Sequence, residues 1–460
     1  MNVVLHKIYD SMPVLRSAMA SGYGYLLRGW RYGPRTEAWV EEALDRETWS
    51  SERWESFQDE RLAEMLHRAA RKVPYYREWW QARRRAGDRS SCEELKNWPV
   101  LRKEHLRSNP HAFLAEDRSP GRLFKLDTSG SSGTPVTTWR SRETMQRWYA
   151  LCEARWRRWY GVDREQRWAM LGGKIVVPFE QARPPFWVWN QGLNQLYMST
   201  FHLKRDNARA YLDAIGSSRI DYMYGYASSM YALARYAIEL GLEAPKLKVA
   251  ISNAEPLLQR QREAITRAFD CRVRDTYGMS EAVTAASECE AGNMHLWPEV
   301  GRVEVFADLS NEPVATGEDG RLICTSWLNP DMPLIRYEVG DRGALSTEQG
   351  CSCGRSLPRL ERIVGRLSDN LLTADGRRVF QMDHVFYQLA VKEAQIIQES
   401  VDRIVVKVVP ADGYSLRDVQ FIEERLNERL GRVRVEVENV DTIARSSNGK
   451  FRAVVSNLAA

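Results

Sequence analysis

Between about residue 120 and residue 290 the chain alternates strand-like runs with helix-like runs, and this alternation constrains the fold more than any other feature. Such an order is typical of a parallel sheet whose faces are covered by helices. Examples are a strand and turn over Ile220–Ser229, a helix over 230–240 and a strand over Leu247–Ser252. Ligands of such sheets bind beyond the carboxyl ends of the strands. We therefore predict an α/β protein whose functional residues follow its strands.

Length and composition indicate the class of protein. The chain has 460 residues, of which 43% are hydrophobic and 28% charged, as in ordinary soluble proteins. Because a single core stops growing beyond about 250–300 residues, we expect two or three domains. A net charge of +5 is small for this length and does not indicate nucleic-acid binding. Seven scattered cysteines, an odd number, argue against a disulfide framework and favour the cytoplasm.

The two ends of the chain differ from its middle. Residues 1–50 mix aromatic residues with arginines. A segment of this composition could bind a membrane surface, but we favour a helical extension that packs on the rest of the protein. We find no signal-peptide pattern and no apolar run long enough for a transmembrane helix. A helical lead-in over 1–100 includes one amphipathic helix, whose apolar face is Leu62, Met65, Leu66, Ala69 and Val73. The last ninety residues have the pattern of a small α+β unit.

A loop rich in Gly, Ser and Thr follows the strand-like run Leu123–Leu126 and reads Asp127-Thr128-Ser129-Gly130-Ser131-Ser132-Gly133-Thr134-Pro135. Glycines let backbone N–H groups approach an anion, and hydroxyls add further donors. It is not a Walker A loop, which would place Lys and then Ser or Thr after its last glycine. Taken alone, the loop is equally compatible with a flexible connection.

Three further segments follow in order, Thr276–Glu281, Arg336–Asp341 and Ser446–Lys450. Together with the Gly/Ser loop they resemble the adenylate-forming (ANL) superfamily. The details are similar to its phenylacetate–CoA ligase branch and, within it, the CapK-like proteins of polysaccharide gene clusters. The resemblance implies an α/β fold with a large multi-sheet adenylate-forming N-terminal body over 1–366. A small α+β C-terminal lid domain would follow over 367–460, with Asp369 as the hinge.

The resemblance also implies roles for individual residues. Glu281 and Lys450 would be catalytic, Glu281 by holding Mg²⁺ and Lys450 by placing a positive charge near the α-phosphate of ATP. Tyr277 would offer a flat face to the adenine, and Asp341 two acceptor oxygens to the ribose hydroxyls. Tyr226 would line the pocket of a small organic acid. The implied ATP/AMP-binding residues are Thr128, Ser129, Gly130, Ser131, Ser132, Gly133, Thr134, Asn253, Ala254, Glu255, Thr276, Tyr277, Gly278, Met279, Ser280, Asp341 and Arg366.

The activity implied by the resemblance is ATP-dependent activation of an organic acid as its acyl-adenylate, followed by transfer to coenzyme A. Asn253 stands where the family has Gly, and Ser368 where it has its first hinge Asp, and these departures leave the acceptor open. An amine, giving an amide, is the alternative acceptor. A catalytically silent binding protein of a polysaccharide cluster is the alternative of another class, and the joint presence of Glu281, Asp341 and Lys450 argues against it.

Cys289, His295, Cys351 and Cys353 are candidate ligands of one structural Zn²⁺. Three thiolates and an imidazole make a closed four-ligand set, and some members of the phenylacetate–CoA ligase branch carry zinc at similar spacing. The alternative is an ordinary reduced turn, because two cysteines separated by one residue are closer than the usual spacing of two. A bound zinc would join the segment after Thr276–Glu281 to the segment after Asp341.

Overall fold

The computed structural model describes residues 9, 12–128, 135–348, 350–366, 370–376, 378–379, 382–446 and 449–458. Its helices are α1 Pro13–Arg31, α2 Thr36–Asp45, α3 Ser51–Lys72, α4 Pro74–Arg85, α5 Lys103–Ser108, α6 Arg142–Trp156, α7 Ala208–Ser217, α8 Ala227–Glu239, α9 Gln259–Phe269 and α10 Leu416–Leu430. Its strands are β1 Phe124–Asp127, β2 Thr137–Arg140, β3 Trp168–Gly172, β4 Trp187–Asn190, β5 Gln195–Ser199, β6 Tyr222–Tyr226, β7 Val249–Asn253, β8 Arg272–Gly278, β9 Ala285–Glu288, β10 Met294–Leu296, β11 Gly301–Phe306, β12 Gly320–Ser326, β13 Tyr337–Leu345, β14 Arg359–Arg366, β15 Leu371–Leu372, β16 Arg378–Val379, β17 Val391–Ser400, β18 Arg403–Pro410, β19 Arg434–Asn439 and β20 Val454–Ser456.

One twelve-stranded sheet runs through the body of the protein in the order β11-β12-β13-β14-β10-β9-β8-β7-β6-β3-β5-β4. Strands β5, β3, β6, β7 and β8 are parallel neighbours, and β9 joins β8 in the antiparallel sense. Helices α7, α8 and α9 cover one face of the parallel part with a shared apolar core. The predicted α/β fold is confirmed, and the parallel region lies within the range of the chain where strands and helices alternate.

The strand-like run before the Gly/Ser loop is strand β1, as expected, but β1 is not part of the parallel sheet. β1 pairs with β2 as a separate antiparallel hairpin, in which Phe124 is opposite Arg140. The hairpin is closed by the Thr128 amide, which donates to the Val136 carbonyl at 2.9 Å. A short strand-like run does not reveal its partner, because parallel and antiparallel strands have similar local sequence. The loop thus connects two strands of a hairpin.

The N-terminal segment packs on the protein itself. The Gln191 amide donates to Oγ of Ser21 on α1 at 2.9 Å, and Arg28 of α1 contacts the Glu165 carboxylate at 2.8 Å. These contacts agree with the favoured helical extension. Among the described helices, none combines the length and the apolar character that crossing a bilayer requires.

The C-terminal unit, by which we mean the described residues from 370 onward, has its own sheet and core. Its four strands lie in the order β19-β18-β17-β20. Ile422, Leu426 and Leu430 of α10 pack against Ile396 and Ile404 of the sheet. The predicted α+β pattern of this region is confirmed. Leu371 belongs to the same core, whereas β14 of the body ends at residue 366.

Candidate active site

The carboxyl ends of three neighbouring parallel strands, β6, β7 and β8, meet at one edge of the sheet. Tyr226 ends β6 and pairs in register with Asn253, which ends β7. Gly278 ends β8, the next strand of the sheet. Since ligands of open α/β sheets bind outside such strand ends, this edge is the candidate site. The fold therefore brings the predicted segments around Tyr226, Asn253 and Tyr277 together.

Two residues predicted to bind the nucleoside contact each other at this edge. The Tyr277 hydroxyl donates a hydrogen bond to Oδ2 of Asp341 at 2.8 Å. Asp341 lies on β13 and pairs in register with Arg366 of β14. β13 and β8 are not neighbours in the sheet, so the contact is made across the strands between them. A carboxylate accepts hydrogen bonds from hydroxyls, which is what binding of ribose would require.

Glu281 lies in a buried polar cluster beside the end of β8 and is 7% exposed. Its Oε1 accepts a hydrogen bond from the Tyr337 hydroxyl at 3.0 Å. The buried guanidinium of Arg140 donates to the carbonyl of Ser280 and is attracted by the Glu281 carboxylate. Burial lowers the pKa of Arg140 to about 10, so the side chain is still charged at neutral pH. These contacts hold the Glu281 carboxylate in one position.

Thr276 and its neighbour Asp275 fasten β8 to β7 beneath this edge. The Thr276 hydroxyl donates to the Ser252 carbonyl at 2.7 Å, and the Ser252 hydroxyl donates to Oδ1 of Asp275 at 2.7 Å. Farther along the motif, Met279 packs against the main apolar core of the body. In this structure the side chains of Thr276 and Met279 therefore support the site from within the protein.

Asp275 predicts a pH dependence of stability. Burial and the nearby Glu288 carboxylate raise the pKa of Asp275 to about 7, above the value of about 3.9 in an unfolded chain. The contribution of this group to stability is therefore complete below about pH 4 and is lost as the pH rises through about 7. We expect Asp275→Asn to gain stability relative to wild type between about pH 5 and about pH 8. Urea unfolding at several pH values measures the difference, and a constant difference would contradict the prediction.

Lys450 reaches the strand ends from the C-terminal unit. Its Nζ lies 5.8 Å from the centre of the Tyr226 ring. The loop around it is a closed turn, in which the Ser446 hydroxyl donates to the Lys450 carbonyl at 2.8 Å and Oγ of Ser446 accepts from the Lys450 amide at 3.1 Å. Tyr226 is 9% exposed, and burial raises its pKa to about 12, so the ring next to Lys450 is uncharged at neutral pH.

Gly449 allows this loop to lie close to the body. Its φ of 75° is in the left-handed region, which glycine adopts most readily. A Cβ atom at this position would lie 2.8 Å from Oγ1 of Thr200. Gly449 therefore packs tightly on the segment that follows β5.

The segment after β7 contacts both units of the protein. Oε2 of Glu255 accepts a hydrogen bond from the Ser228 amide at 2.9 Å, and Oε1 accepts one from the Phe451 amide at 2.7 Å. The preceding residue, Ala254, is exposed and has a φ of 63°. Oδ1 of Asn253 is buried and makes no hydrogen bond within the described part of the chain. The predicted role of Asn253, Ala254 and Glu255 at the adenine edge stays a prediction.

Several predicted residues lie outside the described part of the chain. These are Ser129, Gly130, Ser131, Ser132, Gly133 and Thr134 of the Gly/Ser loop, and the hinge residue Asp369. Thr128 is described, and its Oγ1 accepts a hydrogen bond from the Val136 amide at 2.8 Å. The proposed phosphate-binding role of the loop and the hinge role of Asp369 therefore stay predictions.

The four predicted zinc ligands converge in the body. The ligand atoms of Cys289, His295, Cys351 and Cys353 all lie within 4.8 Å of one another. Cys289 follows β9 and His295 lies on β10, whereas the other two cysteines lie in the connection between β13 and β14. Two segments that are distant in sequence thus meet at one point of the antiparallel sheet.

The geometry of this cluster fits a tetrahedral zinc ion. The sulfur atoms of Cys289 and Cys351 are 3.7 Å apart, and the sulfur of Cys353 lies 3.4 Å from Nε2 of His295. With Zn–S near 2.3 Å and Zn–N near 2.0 Å, a tetrahedron has edges of about 3.8 Å and about 3.5 Å. Nδ1 of His295 faces the Leu357 carbonyl at 3.2 Å. A carbonyl only accepts, so Nδ1 carries the proton and Nε2 keeps its lone pair for a metal.

Comparisons with known proteins agree with this arrangement. Residues 371–457 match the family of the CapK C-terminal domain. Protein CapK of Staphylococcus aureus is 25% identical over 463 residues, which cover 99% of this chain and 100% of that protein. Phenylacetate-coenzyme A ligase of Escherichia coli strain K12 is 24% identical over 73% of this chain and 76% of its own length. The fold matches a solved 2-hydroxyisobutyryl-CoA ligase with a TM-score of 0.66, at 21% identity over 90% of this chain and 91% of that one.

The chain is thus similar to the phenylacetate–CoA ligase and CapK-like branch of the adenylate-forming superfamily.

The solved ligase was captured in several states, and the fold of this CapK-like chain matches each of them to a different degree. The TM-score is 0.66 for the ligase in its postadenylation state, 0.55 for an open conformation and 0.53 for its thioesterification state.

Sequence reasoning missed two side chains of the polar cluster around Glu281. Tyr337 was within a recognised segment, but nothing in its spacing indicated a hydrogen bond to Glu281. Arg140 gave no signal at all, because it follows an unremarkable strand and its contact with Ser280 spans 140 positions.

Proposed function

We propose that this CapK-like chain is an AMP-forming acid–thiol ligase, which uses ATP and Mg²⁺ to activate an organic carboxylic acid and passes the acyl group to coenzyme A. The observation that carries the proposal is the position of Lys450. Its ammonium group, on a loop of the C-terminal unit, lies 5.8 Å from the ring of Tyr226 at the end of β6. A cation delivered to the strand ends suits a reaction in which negative charge builds up on phosphate oxygens.

The proposed first step forms an acyl-adenylate. A carboxylate oxygen of the acid attacks the α-phosphorus of ATP, the bond to the bridging oxygen breaks, and pyrophosphate leaves with the electron pair. No proton is transferred, so positioning and charge neutralisation set the rate. Lys450 would neutralise charge at the α-phosphate, while the Gly/Ser loop from Thr128 onward would hold the leaving phosphates.

Glu281 and Asp341 would bind the rest of the nucleotide complex. Glu281 offers a buried carboxylate, the type of ligand that a hard cation prefers, and bound Mg²⁺ would supply positive charge to the phosphates. Asp341 would accept hydrogen bonds from the ribose hydroxyls beside the Tyr277 ring, with which it is already in contact. These roles rest on the family likeness together with the positions of the side chains.

Acid-dependent exchange of labelled pyrophosphate into ATP tests the proposal. A panel of aromatic, aliphatic and hydroxy acids is supplied with ATP, with and without Mg²⁺. We expect exchange with one class of acid, which would also name the substrate. If ATP binds but no acid supports exchange, the chain is a silent binding protein and the proposal is wrong.

The acceptor in the second step is predicted to be coenzyme A. The thiol sulfur would attack the acyl carbonyl, its proton would pass to solvent, and AMP would leave. Support comes from the Escherichia coli relative, which is named phenylacetate-coenzyme A ligase, and from the solved 2-hydroxyisobutyryl-CoA ligase, which was captured with coenzyme A. We expect coenzyme A to accelerate AMP release from the adenylated acid and to yield a thioester. If only an amine does so, the protein is an amide ligase.

We further propose that Cys289, His295, Cys351 and Cys353 bind one structural zinc ion. The spacing of their ligand atoms and the proton on Nδ1 of His295 both support it. Four protein ligands leave no open coordination position for a substrate. The ion would stabilise the antiparallel part of the sheet that also carries Asp341.

A further inference from the structure

Helix α8 contacts the C-terminal unit through two of its side chains. The Tyr231 hydroxyl donates to the Lys392 carbonyl at 3.4 Å. Near the end of the helix, the Glu239 carboxylate lies 3.3 Å from Nζ of Lys392. Both contacts are at the rim of the interface, where an ion pair contributes little to stability.

Glu255 makes a stronger connection at the beginning of the same helix. One carboxylate oxygen accepts from the Ser228 amide of α8 at 2.9 Å, and the other from the Phe451 amide of the C-terminal unit at 2.7 Å. Hydrogen bonds to an ionised acceptor are stronger than those between neutral groups. The Ser228 amide lies in the first turn of α8, and amides of the first turn have no hydrogen-bond partner within the helix. One side chain therefore joins backbone groups of both units.

The position of the second amide matters because Phe451 directly follows Lys450. A hydrogen bond to the Phe451 amide fixes the backbone immediately beside Lys450. On the other side, Gly449 lies against Thr200. The Lys450 side chain then extends toward Tyr226, the residue that precedes α8. The three contacts together set where the ammonium group lies.

We propose that Glu255 is a positioning residue: it holds the C-terminal unit in the adenylate-forming arrangement by binding the Phe451 amide, and so places Lys450. This inference rests on the proposed function of Lys450. Burial raises the pKa of Glu255, and Arg445 of the C-terminal unit lowers it in part. Such a carboxylate would lose the Phe451 amide whenever the C-terminal unit turns away for acyl transfer. Glu255 thus favours the first half-reaction over the second.

Hydrogen–deuterium exchange of the full chain tests the contact without relying on activity. In Glu255→Ala, peptides that contain Phe451 should exchange about tenfold faster or more, as expected for loss of a hydrogen bond to a charged acceptor. Glu263→Gln is the matched control, since Glu263 is an exposed residue of α9 that contacts Gln259. Its exchange around Phe451 should equal that of wild type. Unchanged exchange in Glu255→Ala would overturn the proposal.

The two half-reactions separate positioning from a purely structural role. Glu255→Ala should reduce pyrophosphate exchange by about tenfold or more, and this loss should exceed the loss in acyl transfer from a supplied acyl-adenylate. Glu255→Gln retains one acceptor oxygen, so its hydrogen–deuterium exchange at Phe451 and its pyrophosphate exchange should lie between those of wild type and Glu255→Ala. If the alanine variant fails to fold, Glu255→Gln serves as the test. Equal losses in both half-reactions would contradict positioning. If wild type activates no acid, the proposed function is wrong. The hydrogen–deuterium exchange experiment still tests the contact between Glu255 and Phe451, so the two failures can be told apart.

Discussion

Lys450→Ala should lower the rate of acid-dependent pyrophosphate exchange by on the order of 100-fold or more while leaving ATP affinity nearly unchanged. The physical reason is that the ammonium group neutralises charge that grows on the phosphate oxygens as the bond to pyrophosphate breaks. Binding of ground-state ATP depends more on the body, where Tyr277 and Asp341 lie. Exchange assays give the rate, and calorimetric titration of ATP into both proteins gives the affinity.

Lys450→Arg and Lys246→Ala are the controls for this experiment. The arginine variant keeps the charge but not the compact shape of the ammonium, so we expect partial activity. Lys246 pairs with Asp270 at 2.6 Å on the surface of the body, and its replacement should have no effect on exchange. Activity of Lys450→Ala within about threefold of wild type would remove Lys450 from the site, since a lost charge-stabilising contact costs about 100-fold or more.

Removal of bound zinc should destabilise the protein strongly. Structural zinc contributes several kcal/mol to folding, and about 1 kcal/mol moves the thermal midpoint by about 2–4 °C in a domain of 150–250 residues. We therefore expect a strong chelator to lower the midpoint of the body by roughly 10 °C or more. Thermal unfolding followed by fluorescence, with and without chelator, measures the change.

Two cysteine variants make the metal test specific. Cys351→Ser removes one of the four clustered ligands, whereas Cys92→Ser changes a free cysteine that is not part of the cluster. We expect one zinc per chain in wild type and in Cys92→Ser, and a clear deficit in Cys351→Ser. Absence of stoichiometric zinc from carefully purified wild type, together with no effect of the chelator, would disprove the metal site.

Local patterns in the sequence were sufficient to predict individual elements. The apolar face Leu62, Met65, Leu66, Ala69 and Val73 is buried throughout, because helical spacing places the first four residues on one side of α3 and Val73 directly follows the end of this helix. Met145, Trp148 and Cys152 are likewise buried on α6. The helix ends at Trp156, however, and Trp159 lies in the following turn with its ring nitrogen donating to Glu47. Periodicity gives the buried face of a helix more reliably than its end.

Motifs were sufficient to predict the family and the cysteine–histidine cluster. Three thiolates and an imidazole, from Cys289, Cys351, Cys353 and His295, suggested a closed four-ligand set, although the spacing of Cys351 and Cys353 is closer than usual. The structure supplied the distances, 3.7 Å between two sulfur atoms and 3.4 Å from sulfur to nitrogen. The sequence could not supply them, since they depend on how β9, β10 and the connection after β13 pack.

The sequence by itself determined the α/β fold, the family and the separate C-terminal unit, because periodicity and motif spacing are local properties of the chain. Only the tertiary structure decided that β1 pairs with β2 in a hairpin, and that Arg140 contacts Ser280 across 140 positions. It also decided that Glu255 holds the Phe451 amide across 196 positions. A backbone amide has no side-chain identity, so its partner leaves no trace in a sequence motif. Such contacts arise only when two separately folded units meet.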